Sequence, residues 1–206
     1  MLKILDIWKD ENSYGAVTEP ITLAKAKKWC LVDFADDDDL ITDLIIQSRH
    51  SIEDFCNISI VPKSIFLTAT CSGEYVHTPG ISRWDRKFYG VPFKGEWDEL
   101  PYGPVSSIQS VTNTDGVTTT ILTENTDYFL TGQGFKLIRF NSYTSQLLIQ
   151  YSTPYYCPDA LKEAILNEVA FRYEQRGNTL NRYAAQNTGI SEGAQALAIH
   201  YQRTWL

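Results

Sequence analysis

EPITLAKAKKWCLVDFADDDDLITDLIIQSRHSIEDFCN, residues 19–57, encodes two helices with an acidic break between them. Pro20 keeps the chain extended ahead of the first helix. Thr22 has the side chain of an N-cap, and Leu23, Ala24, Ala26 and Lys27 after it favour helix. The run Asp36–Asp39 opens the second helix, where carboxylates oppose the positive end of the helix dipole and accept from free N–H groups. Beyond it Leu40, Ile41, Leu44, Ile45, Ser48, Ile52 and Phe55 recur at steps of three and four, which is one wide apolar stripe. A stripe of that width requires a cover.

Working outward, residues 1–18 read as a short strand or an arm. Pro62 marks the exit from the helix pair, and the period then changes. SIFLTATC, residues 64–71, has the β-branched and aromatic content of a strand. Residues 72–100 are irregular, with Gly and Pro set among Tyr75, Trp84, Phe88, Tyr89, Phe93 and Trp97. Asp115-Gly116 between Val105–Asn113 and Val117–Leu122 predicts a hairpin. Phe135–Phe140 and Gln146–Tyr151 predict a second strand pair. Helix resumes at Pro158, with Leu161, Ile165, Val169 and Tyr173 on its inner face and Gly177 as C-cap. These residues predict a cover for Leu44, Ile45 and Ile52. Ser191 predicts a cap for a short last helix through Ala194, Leu197, Ala198 and Tyr201. The expected class is therefore α+β. A small helical bundle (about 22–31, 37–57 and 158–176) holds a β-rich insertion (about 63–152) and ends in an extended or short-helical C-terminal arm (178–206), all within one domain, 1–206.

The 206 residues are 43% hydrophobic and 21% charged, ordinary for a globular chain. The net charge of −7 argues against a protein that grips the nucleic-acid backbone. It suits a surface past which nucleic acid slides. No apolar run reaches membrane length. Cys30, Cys56, Cys71 and Cys157 form no CxxC pair, and His50, His77 and His200 are scattered, so a zinc site is not expected and a reducing compartment is.

No phosphate-binding loop, nucleophile elbow or HExxH occurs. Successive carboxylates of Asp36–Asp39 diverge on a helix start and converge poorly on one cation. Arg49, His50, Glu53 and Asp54 read as the solvated or inter-subunit side of the second helix. No catalytic residue, metal ligand or cofactor site is expected. The aromatics from Trp84 to Trp97, with Arg83, Arg86 and Lys87 nearby, allow an alternative reading as a carbohydrate- or ligand-binding module, or else core or interface. Trp205 and Leu206 are costly to leave in water at a terminus, so the tail is expected to dock on this chain or on a partner.

Four segments together resemble one known family. EPITLAKAKKWCLVD (19–33) with the Asp run and apolar helix resembles the opening of the tailed-phage head–tail connector (adaptor) proteins, the gp6-like group. LPYGPVSSIQSVTNTDG (100–116) is similar to a segment of its β-containing branch. PDALKEAILNEVAFRYEQRG (158–177) is similar to that branch's third helix, and ALAIHYQRTWL (196–206) to the family's closing tail. The chain departs from the pattern at Lys28, Trp29 and Cys30 and in the longer stretch 72–99. The resemblance implies a non-enzymatic virion protein at the capsid–tail interface, assembled in the bacterial host cytoplasm. It implies a homo-oligomeric ring of about twelve copies under the portal protein. Such a ring extends the channel through which packaged double-stranded DNA passes without specific binding, and it receives a downstream tail-completion protein. It also implies that the C-terminal segment engages the portal or a neighbour, with Leu197, Tyr201, Arg203, Trp205 and Leu206 as contact residues.

Overall fold

The computed structural model describes residues 2–15, 17–71, 97–114, 116–141, 144–175 and 189–203. Most of the irregular aromatic stretch, Gly177, Trp205 and Leu206 lie outside them. The chain divides into two compact units. One holds residues 1–10, 64–100 and 105–152, and the other holds residues 11–63, 101–104 and 153–206.

The second unit is helical. The helices are α1 (Leu23–Trp29), α2 (Asp38–Cys56), α3 (Asp159–Gln175) and α4 (Glu192–Ala198). Thr22 caps α1 through its side chain, accepting from the Lys25 N–H at 3.3 Å. Ser191 caps α4 in the same way, accepting from Ala194 at 3.4 Å. Pro158 stands just ahead of α3, and its carbonyl accepts from Leu161 and Lys162. The acidic run does open α2, but its carboxylates do not cap it. Asp37 occupies the N-cap position without a side-chain capping bond. Its Oδ2 accepts instead from the Tyr173 hydroxyl at 2.5 Å, and Asp38 pairs with Lys27 at 2.5 Å. Asn57 closes α2 in the left-handed region, φ 56°, which Asn tolerates better than most residues.

α2 packs on α1 and α3, and α4 packs on α3 and α2. The stripe of α2 is buried at Ile41, Leu44, Ile45, Ile52 and Cys56, and the inner face of α3 at Leu161, Ile165 and Val169. Each such apolar side chain withdrawn from water contributes about 1.5–3 kcal/mol. The cover of the helix pair thus lies in this chain's own third helix.

The first unit is built of strands β1 (Leu2–Asp10), β2 (Lys63–Cys71), β3 (Asp98–Glu99), β4 (Ser107–Thr114), β5 (Thr119–Ile121), β6 (Tyr128–Thr131), β7 (Leu137–Phe140) and β8 (Thr144–Thr153), save the end residues Lys63 and Thr153, which belong to the second. One sheet has the order β1-β2-β8-β4-β5 and the other β3-β7-β6. Residues 2–10 therefore form a strand, antiparallel to β2, with a bulge at Leu5. The predicted hairpin forms between β4 and β5, pairing Thr114 with Thr119. Gly116 adopts φ 91°, open to Gly at no steric cost.

The second predicted pairing is corrected. Residues 137–140 pair with β6 and β3, whereas residues 144–153 pair with β4 and lie next to β2 in the other sheet. Two strands joined by a short turn normally make a hairpin, but here the chain switches sheets. Alternation places Leu147, Ile149 and Tyr151 inside with Val111, Ile65 and Leu67, while Ile138 and Phe140 are buried from the small sheet.

Candidate functional site

The C-terminal segment is anchored by α3. Glu168 is 2% exposed. Its two oxygens accept from Arg172 Nε and from the Ser191 N–H, each at 2.7 Å. The guanidinium of Arg172 also donates to Ser51 Oγ of α2 at 2.7 Å. Ser191 is thereby set to start α4, which buries Ala194 and Ala198. Leu197 is half-buried.

After α4 the chain runs along the C-terminal end of α2, whose last carbonyls lack intrahelical donors. The Cys56 thiol donates to the Ala198 carbonyl at 3.4 Å. Gln202 Nε2 donates to the Phe55 carbonyl at 3.2 Å. The Arg203 N–H donates to the Cys56 carbonyl, and Asn57 Nδ2 donates to the Arg203 carbonyl, both at 2.8 Å. Burial pushes the Cys56 thiol up to about 12, so it is an inert apolar group. Tyr201 and Arg203 are half-buried near Tyr156, whose phenol is raised first by burial and then by Tyr201. The tail thus docks on its own chain as far as Arg203. Of the five expected contact residues, Leu197, Tyr201 and Arg203 share this short segment.

Arg49 and Glu53 are not on a solvated face, a second correction. Arg49 is 1% and Glu53 2% exposed. Arg49 makes two bidentate pairs, with Glu19 at 2.8 and 3.0 Å and with Glu11 at 3.0 Å twice. It also meets Glu53 at 3.0 Å. Lys63 Nζ lies 2.8 Å from both Glu11 and Glu53. The other oxygen of Glu53 accepts from the Ile60 N–H at 2.6 Å. Burial opposes ionisation of Glu11, but hydrogen bonds from His50, Arg49 and Lys63 outweigh it and hold its carboxyl well below the usual range. Burial likewise opposes the charge on Arg49, and the surrounding carboxylates outweigh it. Glu11, His50 and Glu53 bring ligand-type atoms within 4.8 Å of one another. The ammonium of Lys63 already bridges the two carboxylates, so the cluster acts as an ionic tie within the helical unit, joining the segment before α1 to α2 and to Lys63.

The sequence did hold a signal for this tie. Arg49 and Glu53 follow Ile45 at helical steps of four, so they flank the buried stripe.

The α1–α2 connection holds another unusual feature. Leu31 has φ 56° and is 92% exposed. The Val32 N–H reaches the Lys27 carbonyl at 2.9 Å, the longer bond of a Schellman closure, and Leu31 takes the position usually given to Gly. A branched side chain there costs about 1–2 kcal/mol. Among the described aromatics, Trp97 is 42% exposed. The Arg139 guanidinium lies 4.9 Å from its ring centroid and 5.1 Å from that of Phe129. One face of Trp97 is thus covered, which weighs against a bare stacking platform.

Three comparisons with known proteins bear on this arrangement. The family model described as "Phage gp6-like head-tail connector protein" matches residues 20–75. No curated protein matches. Among solved structures, a chain from the neck of an empty gene transfer agent (GTA) particle computed with C6 symmetry is similar, at 13% identity and a TM-score of 0.59. A chain from the virion of the native GTA particle is similar at 16% identity and the same TM-score of 0.59. Each alignment covers 100% of this chain and 97% of the other. The fold is thus similar to that of these neck and virion chains, and residues 20–75 are similar to the phage gp6-like head–tail connector family.

Proposed function

We propose that this protein is a structural, non-enzymatic component of the neck of a phage-like particle, an adaptor between the portal vertex and the tail. The observation that carries this reading is a head–tail connector match at residues 20–75 inside a chain that aligns end to end with a GTA neck protein. Copies form a ring under the portal that extends the DNA channel and receives the next tail-side protein. Twelve or so copies are compatible with the C6 symmetry used for the similar neck, since two per asymmetric unit satisfy it. The acidic balance suits a channel that must not retain DNA.

Portal contact falls to Leu197, Tyr201, Arg203, Trp205 and Leu206. The supporting geometry is that the backbone is held on the end of α2 up to Arg203, the residue before Thr204 in the chain. Electron microscopy of particles, and of the protein mixed with purified portal, tests the assignment. A symmetric ring at one vertex is expected, and particles that lack the protein would overturn it.

A further inference from the structure

The connection between α1 and α2 carries a side chain that the monomer does not use. The turn at Leu31 is made by backbone, and Gly or Asn would make it with less steric conflict. Leu therefore costs the isolated chain twice, in a left-handed backbone and in apolar surface left in water. Trp29, Phe34 and Leu40 on the same stretch are 45%, 48% and 37% exposed. The stretch is nonetheless fixed in shape. Val32 is buried, and Lys27 Nζ donates to the Phe34 carbonyl at 2.6 Å and to Asp38 at 2.5 Å. An exposed apolar group on a pre-shaped loop is the form of an interface anchor.

The charges around it identify the kind of partner. From Trp29 to Asp43 the chain has six Asp and neither Lys nor Arg. Asp37 and Asp38 bond Tyr173 and Lys27, while Asp33, Asp36, Asp39 and Asp43 remain exposed. We propose that this connection docks a different protein of the particle, one whose surface offers an apolar pocket for Leu31 rimmed by Lys or Arg. The same surface of a second copy would set the exposed Asp33, Asp36, Asp39 and Asp43 against their like, and DNA is repelled from them. The proposal rests on the neck reading and adds a second docking surface, separate from the C-terminal segment.

The test places a photo-cross-linking residue, Leu31→p-benzoylphenylalanine, in full-length chains within particles. Irradiation is followed by mass spectrometry of the linked peptides. The expected product joins position 31 to a Lys- or Arg-bearing surface of another neck protein, with a yield that falls several-fold as ionic strength rises. Leu31→Gly, which relieves the left-handed strain, is expected to keep or raise its thermal midpoint, yet its particles shed that neighbour in a high-salt wash that wild-type particles survive. Cross-linking to a second copy, no cross-link from a chain present in particles, or unchanged retention in Leu31→Gly particles overturns the docking surface alone. Absence of the chain from purified particles overturns the neck reading and this inference together.

Discussion

At the scale of single residues, the most consequential group is Arg49. It holds three carboxylates, from Glu11, Glu19 and Glu53, at 1% exposure. Arg49→Met keeps the bulk and removes the charge, which leaves those carboxylates without their main counter-ion. The expected loss is about 3–5 kcal/mol of folding stability, read from urea unfolding. Glu11 sets a pH dependence. Its folded value lies far below the ordinary 4.5. Between those values the unfolded chain binds more protons, so stability rises with pH there. The contribution is complete above about 4.5 and is lost as pH falls toward the folded value. The urea midpoint is therefore expected to fall as pH drops below about 4.5, with a shallower slope in Glu11→Gln. An equal slope in both proteins would assign the acid sensitivity elsewhere. The spacing of Arg49 and Glu53 after Ile45 was readable from the residues, but their partners Glu11 and Lys63 were not, because these lie 38 and 14 positions from Arg49 in the chain.

At the scale of elements, the helices follow from local rules and respond to local changes. Ser191→Ala removes the side-chain cap of α4 at a buried helix start, for an expected loss of about 1 kcal/mol. Because α4 is short, hydrogen exchange of its amides should quicken more than that of α3. Uniform quickening would show that the two helices open together. Ile165 on α3 is fully buried, and Ile165→Ala should cost about 2–5 kcal/mol by global unfolding. Helix positions were legible because period, caps and Pro or Gly breaks act within a few residues. The β7 and β8 pairing was not, because turn chemistry specifies a reversal of direction but not which sheet receives the next strand.

At the scale of the whole molecule, the proposed portal contact of the tail and the proposed docking at Leu31 can be tested separately. Deleting Thr204–Leu206 leaves every described bond of Arg203 to α2 in place. The truncated protein should therefore keep its thermal midpoint while losing affinity for purified portal, measured by co-sedimentation. Unimpaired portal binding would move the contact to another surface. The stripe of the opening helix pair was predicted to lie under Leu161, Ile165 and Val169, and α3 packs on α2 within the same chain with these residues buried. The sequence by itself determined the α+β class, the extents of the helices, the caps at Thr22 and Ser191, and the β4–β5 hairpin, since each is set by neighbours along the chain. Only the tertiary structure decided the sheet order, the course of the tail along α2, and the burial of Arg49 among Glu11, Glu19, Glu53 and Lys63. Those features depend on residues far apart in sequence, and a charge can be read as buried only once the groups that neutralise it have been brought to its side.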